Sequence, residues 1–459
     1  MSRIVAWAAA SLASGVAIAA PAGGAVAPPP NVVLIIADDM ALGDVGAFNG
    51  GRSHTPNLDR LIADGVWFNR GYSASSVCAP ARAALHTGRY PHRTGVVSLT
   101  MTTEPELTRL KRDETTIADA FRAAGYQTGL IGKWHLGLGA DWHPLQRGFQ
   151  EFTGFIGALD SFFNYELEVA GQMRRFTDIY VTDVLSASAV AFIRRHSERP
   201  FFLELAHAAP HRPLEAPPAI IQKYRDRGET PNTAKIYAMV EIMDRGIGEL
   251  LQVLADLRIR ERTLVVFVSD NGPDPLTGER FNLGLRGSKY TVNEGGIRVP
   301  VVMSWLGRLK PGETDTVFNF VDLPATVAEL VGVKWAPRLP PDGRSIAGEL
   351  LSGTSGPAAE RTLYWQWNRG VPNYTHNAAL LQGGWKLVRP FVTHKEANPK
   401  DSAERPVLYH VATDPAETTD LSQQHPERLT AMLAALDAWS RAVEADRRRK
   451  DSPPAAPAR

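Results

Sequence analysis

Cysteine is almost missing: the chain of 459 residues has one, Cys78. A lone cysteine cannot form an internal bridge, so the fold must rest on a packed core, for which the length is ample. Neither sign of charge dominates, with 50 Lys and Arg against 49 Asp and Glu. That balance excludes a protein built to coat nucleic acid, although charge can still gather in one cleft. Beyond the N-terminal residues no run approaches the ~20 continuous apolar residues that a helical membrane span needs, so no integral membrane segment is expected in the mature chain. Internal repeats and coiled-coil heptads are absent as well. What remains is a large globular domain with room for a small appendage.

The N-terminus carries its own signal. Arg3 precedes a run from Ile4 to Ala20 that is apolar or small almost throughout, and Pro28-Pro29-Pro30 follows. A short positive region, an apolar region and an A-x-A site such as Ala17-Ile18-Ala19 make a secretory signal peptide. Residues 1–27 are therefore expected to be removed and the protein exported, to the periplasm or the exterior. A membrane anchor is the alternative, but the stretch is short and rich in Ala, Gly and Ser. At the other end, residues 447–459 are basic and then Pro/Ala-rich, which predicts a disordered, solvent-facing tail.

Between these ends, Asn31 to Ala37 (N-V-V-L-I-I-A) is a continuous apolar run rich in β-branched residues and reads as a buried strand. Helical patterns over Thr55–Gly65, Thr115–Gly125, Asp178–Arg195 and Asn232–Leu257 alternate with strand patterns over Tyr126–Ile131, Pro200–Leu205 and Thr263–Ser269. Such alternation predicts an α/β domain over 28–350, with a large, mostly parallel sheet sandwiched by helices. Past residue 350 the pattern changes to short strands at Thr362–Trp367, Gly384–Val388 and Pro406–Val411. An amphipathic helix, Pro426–Glu444, follows. A small antiparallel sheet closed by one helix, over 351–446, is the simplest arrangement.

Acidic groups stand at two strand ends, Asp38-Asp39 after the first strand and Asp270-Asn271 after Thr263–Ser269. In open α/β sheets sites gather at the carboxyl ends of strands. Two such pairs would make a cluster of oxygen donors suited to Ca²⁺, with Mg²⁺ second, and unsuited to zinc. Each pair alone is as easily a helix cap or a turn.

Between them lies S-S-V-C-A-P-A-R-A-A-L-H-T-G, Ser75 to Gly88. The C-x-P-x-R core with T-G-R after it resembles the signature of type I sulfatases, members of the alkaline-phosphatase-like superfamily. Ala79 and Ala81 occupy its variable positions, where Thr and Ser are common. The resemblance continues in order through I-I-A-D-D-M at Ile35, G-K-W-H-L-G at Gly132 and A-P-H-R-P at Ala209. It then runs through S-D-N-G at Ser269, G-S-K-Y-T-V-N-E-G-G-I-R-V-P at Gly287 and L-Y-H-V-A-T-D-P-A-E-T-T-D-L at Leu408.

The resemblance implies a formylglycine enzyme in which Cys78 is oxidised by a formylglycine-generating maturation enzyme before folding is complete. It implies a metal held by Asp38, Asp39, Asp270, Asn271 and the modified residue 78. Lys133 and Lys289 would bind sulfate, Arg82 would hold the hydrated aldehyde, and His211 would serve the leaving oxygen. One hydroxyl of the hydrate would attack sulfur to give a covalent sulfo-enzyme, and His135 would take the proton of the other to release sulfate. The expected substrate is a sulfate ester, either an aryl sulfate or a sulfated glycan, and the block spacing looks nearest to the N-acetylgalactosamine-4-sulfatase (arylsulfatase B) branch.

Two other readings stay open: a phosphonate or phosphate monoester hydrolase of the same superfamily, and an inactive homologue that binds sulfated glycans. Loops over 142–165 and 365–376 carry aromatic residues (Trp142, Phe155, Phe162, Phe163, Tyr165, Trp367, Tyr374) that can either stack on sugars or belong to the core. His54, His92, His143 and His207 receive no role.

Overall fold

The computed structural model describes residues 28–354, 361–391 and 405–452; the expected signal region lies outside them. In chain order the strands are β1 (Asn31–Ala37), β2 (Val66–Phe68), β3 (Gly71–Tyr72), β4 (Gln127–Lys133), β5 (Glu151–Phe155), β6 (Tyr165–Val169), β7 (Gln172–Phe176) and β8 (Phe201–Ala206). They continue with β9 (Thr263–Ser269), β10 (Val301–Ser304), β11 (Gly312–Thr314), β12 (Phe318–Asn319), β13 (Thr362–Gln366), β14 (Ala378–Gln382), β15 (Trp385–Arg389) and β16 (Val407–His410). Ten of them form one mixed sheet, ordered β11-β2-β10-β9-β1-β8-β4-β5-β6-β7. The central run from β9 to β5 is parallel, while β10 and the β6–β7 hairpin flank it antiparallel.

Burial explains why β1 sits at the centre. All seven of its residues are buried, and alternate side chains feed opposite cores. Val32, Leu34 and Ile36 pack with Leu85, Phe121 and Phe149 on one face. Val33, Ile35 and Ala37 pack with Leu185, Ile236 and Ile247 on the other. Helices Cys78–Thr87 and Ile117–Ala123 cover the first face, and Val181–His196 and Pro231–Asp256 the second.

The C-terminal region is a four-stranded antiparallel sheet, β13-β14-β15-β16, closed by the helix Pro426–Arg447. Met432, Leu436, Trp439 and Val443 of that helix join the same core as β1, so the sheet and its helix pack onto the main domain. The helix Ala347–Ser352 runs across residue 350. Strand β14, A-A-L-L-Q, has no counterpart in the sequence expectation. Its residues favour helix locally, and pairing with β13 and β15 overrides that preference.

The expected solvent-facing tail needs correction in its described part. Arg447 completes the closing helix, Lys111 Nζ donates to Arg447 O at 3.0 Å, Arg112 Nε donates to Asp451 at 2.9 Å, and Arg449 pairs with Asp113. Nearby, Glu114 is 4% exposed. Burial pushes its carboxyl up from 4.5 to about 7, although Arg89 Nε lies 3.2 Å away. The folded protein thus keeps a proton that the unfolded chain releases. This stabilising contribution is complete below the unfolded value and is lost as pH rises through about 7. Glu114→Gln should flatten the fall in melting temperature between about pH 5 and about pH 7.5. An unchanged slope would show that Glu114 does not set it.

Candidate active site

Register creates the centre of the site. Ala37 of β1 and Ser269 of β9 are partners in adjacent parallel strands. The next residues, Asp38 and Asp270, therefore emerge side by side at the carboxyl edge of the sheet. Asp39 adopts a left-handed φ of 65°, and its N–H donates to Asp270 Oδ1 at 3.2 Å. Asn271 Nδ2 donates to Asp39 Oδ1 at 2.7 Å. The turn closes only with glycine at 272, where a Cβ would lie 2.0 Å from the Gly295 carbonyl oxygen.

Cys78 is the first residue of its helix and is 2% exposed. Its Sγ and oxygens of Asp38 and Asp270 all lie within 4.8 Å of one another. One helical turn on, Arg82 reaches back over the same acids. Its Nε donates to Asp270 Oδ2 at 3.0 Å and its Nη1 to the Lys133 carbonyl at 3.2 Å. Lys133, the last residue of β4, donates to Asp38 Oδ2 at 2.5 Å, and Lys289 donates to Asp39 Oδ2 at 2.8 Å. His135 also has a left-handed φ, 66°, and its Nε2 lies 3.3 Å from the Leu99 carbonyl. His211 sits at the mouth with Nε2 3.7 Å from Asp39 Oδ2, and its Nδ1 must donate to the Arg212 carbonyl, 2.6 Å away. All ten residues singled out in the sequence therefore meet in one place.

The electrostatics follow from burial and pairing. Burial alone would raise Asp38, but Lys133, His211 and Arg82 more than offset it and hold the carboxyl far below its usual range. Lys289 and His211 likewise pull buried Asp39 down. Asp270 moves the other way, to about 7, because burial and the charge of Asp38 outweigh Arg82. Burial pushes the Cys78 thiol up, and burial with Lys133 beside it holds the His135 ring neutral.

Two buried acceptors, Asp38 Oδ1 and Asn271 Oδ1, lack a hydrogen-bond partner among the described residues. Orphaned buried acceptors are costly. A hard cation among these oxygens would satisfy both, so the donor set fits a metal.

The Sulfatase family model matches residues 30–333, which contain every one of these side chains. The chain belongs to the sulfatase family. It is 32% identical to human arylsulfatase A, over 88% of this chain and 85% of that one. It is 30% identical to dog N-acetylgalactosamine-6-sulfatase, over 90% and 86%. The solved structure of Ps i-CgsB in complex with k-i-k-neocarrahexaose superposes with a TM-score of 0.80 at 29% identity, covering 92% of this chain and 95% of that one. These relatives carry names other than the N-acetylgalactosamine-4-sulfatase branch that the block spacing suggested.

In this sulfatase, a sulfuric ester hydrolase, the sheet β13–β16 grips the segment that carries Lys289. Asn377 accepts from Val292 N at 3.1 Å and donates to the Tyr290 carbonyl at 2.6 Å. Lys386, wholly buried, spans Glu294 at 2.8 Å and Glu417 at 3.0 Å, while Tyr72 OH donates to Glu294 at 2.9 Å. Glu294 and Glu417 both stand inside quoted sequence blocks, yet nothing local signals that a lysine from a third segment joins them.

Sequence reasoning also missed Arg280, whose buried Nη2 donates to the Asp39 carbonyl at 2.8 Å and pairs with Asp44 at 2.9 Å. It comes from an irregular loop with no periodicity to mark it. His207 follows β8, with its N–H on the Ile36 carbonyl, and burial lowers its ring to about 3. His92 and His143 bond elsewhere, to Gln366 and Glu168. Of the seven loop aromatics, Phe155, Phe162, Tyr165 and Trp367 are buried packing residues, and Tyr374 is tied to Glu444.

Proposed function

We propose that this chain hydrolyses sulfate monoesters of sulfated carbohydrates, using a formylglycine derived from Cys78 and a Ca²⁺ ion held by Asp38, Asp39, Asp270, Asn271 and residue 78. The observation that carries this reading is the charge pattern around Cys78. Three buried cations, Arg82, Lys133 and Lys289, face three buried carboxylates, Asp38, Asp39 and Asp270. With all three carboxyls ionised, the state a bound cation favours, those charges cancel, so a divalent cation leaves the pocket positive, ready for an anionic ester. When bound, the cation polarises sulfate oxygens and acidifies a neighbouring hydroxyl. The hydrated aldehyde of formylglycine puts an oxygen nucleophile where the thiol stood. An all-oxygen, all-protein donor set suits Ca²⁺ better than Mg²⁺, which keeps more of its water.

The chain's own residues divide the work. Lys133 and Lys289 bind the non-bridging sulfate oxygens and lose part of their hold on the aspartates as they do so. Arg82, fixed by Asp270, orients residue 78. His211, committed through Nδ1–H to the Arg212 carbonyl, keeps Nε2 to carry a proton to the leaving oxygen. His135, held neutral, accepts a proton from residue 78. The names N-acetylgalactosamine-6-sulfatase and neocarrahexaose among the relatives support a sulfated sugar as substrate. The secretory pattern before residue 28 supports export to the periplasm or exterior. No described helix is long and apolar enough to cross a membrane.

Chelated enzyme assayed on an aryl sulfate and the matching aryl phosphate tests the reading. Turnover of the sulfate should return with Ca²⁺ more fully than with Mg²⁺ and should exceed that of the phosphate. Faster phosphate turnover would overturn the assignment in favour of a phosphate or phosphonate monoester hydrolase. A protein with Ca²⁺ and formylglycine that is inert on all sulfate esters would favour a glycan-binding homologue.

A further inference from the structure

Arg212 follows His211 directly, and its carbonyl takes the His211 Nδ1–H, so one peptide fixes both side chains at the mouth of the site. Its Nε donates to Asp274 Oδ2 at 2.6 Å. Asp274 is itself immobilised: its carboxylate is 1% exposed and its other oxygen accepts from Leu276 N at 2.9 Å. The preceding residue, Pro273, offers its carbonyl to Lys289 N at 2.9 Å. The loop that seats the sulfate-facing lysine therefore also seats Arg212.

The pairing is incomplete in an informative way. Arg52 meets Glu229 through both Nε and Nη2, using up one edge of its fork. Arg212 spends only Nε on Asp274; among the described residues Nη1 and Nη2 have no hydrogen-bond partner, and the side chain is 40% exposed. The adjacent His211 has Nε2 3.7 Å from Asp39 Oδ2, which puts Arg212 one residue along the chain from the reacting centre. The six buried charges already cancel without it. A pinned, planar, two-donor edge beside an anion-cleaving site matches the geometry of a sulfate or carboxylate.

We propose that Arg212 is an accessory anion subsite that binds a second sulfate or carboxylate carried by the same substrate; this rests on the sulfatase reading above. The test compares wild type, Arg212→Gln and Arg212→Lys, matured and loaded with Ca²⁺. The three substrates are an aryl sulfate, a disulfated N-acetylhexosamine, and a disaccharide with one sulfate and one uronic carboxylate. Arg212→Gln should lower kcat/KM for a doubly anionic substrate about tenfold more than for the aryl sulfate, chiefly through KM, with Arg212→Lys in between. A selective loss on the disulfated sugar identifies a second sulfate as the ligand, and one on the uronate disaccharide a carboxylate. Equal loss on all three, or no loss, overturns the proposal. Calorimetric binding of the disulfated sugar needs no turnover. An enzyme inert on every sulfate ester would therefore sink the proposed function, while the ratio of Kd values still decides Arg212.

Discussion

Cys78→Ala should lower kcat by about 10⁴-fold or more, since removal of a nucleophile leaves only what binding and electrostatics provide. The fold should barely notice. Cys78 is a small buried side chain at the first position of its helix, and the ion pairs around it run between Arg82, Lys133, Lys289 and the three aspartates. Alanine keeps the helix and leaves those pairs intact, so the melting temperature should move by only a few degrees. Kinetics and thermal unfolding on the same preparation check both halves. A variant that melts far below wild type would mean that lost activity reports lost structure. The companion measurement is mass spectrometry of the tryptic peptide Gly71 to Arg82. Conversion to formylglycine makes it lighter by a sulfur and two hydrogens, with one oxygen gained. An active preparation in which the thiol is wholly unmodified would refute the proposed chemistry.

Lys133→Ala should cost both catalysis and stability, and the second loss should depend on the metal. Lys133 and Asp38 are each about 1% exposed and 2.5 Å apart. Without the lysine, the ion pair left to Asp38 Oδ2 among the described residues is Arg82 Nη2 at 3.8 Å, which is committed to Asp270 at 2.8 Å. Deleting one partner of a buried pair typically costs about 3–5 kcal/mol, because the other charge is stranded. A bound cation would neutralise Asp38 in its place. The full loss should therefore appear in chelator and shrink when Ca²⁺ is restored. Activity at saturating Ca²⁺ should still fall about 10²–10³-fold, the usual cost of losing one charged donor to a developing transition-state charge. Denaturant unfolding with and without chelator checks the first claim. Equal stability losses in the two conditions would mean that the cation does not sit beside Asp38.

The legible parts of this molecule are those where one physical cause dominates. Strands β1 and β9 are continuous apolar runs because both faces are buried, and their register alone sets Asp38 next to Asp270. The flanking strands were unreadable: β2 has three residues, β10 lies beside a proline, and β7 is mostly exposed, so none shows a period. Lys133, His135, His211 and Lys289 came only from resemblance to a family. Taken one at a time, each is an ordinary surface or core residue until the fold removes it from water. Arg280 and the Lys386 pair of glutamates were invisible for a different reason. Their partners lie on distant segments, and no local pattern records a contact that only the finished fold makes.

The adjacency of β1 and β9 also sets a schedule. Asp39 and Asn271 touch across 232 positions of chain. During synthesis the first strand must therefore wait for its neighbour to arrive. Cys78 leaves the ribosome roughly 190 residues before Asp270, a delay of about 10–40 s at ~5–20 residues per second. Until then the two strands cannot pair, and the wall that buries the cysteine does not exist. The spacing of two strands would thus give the modifying enzyme of the proposed chemistry a period of access whose length is written into the chain.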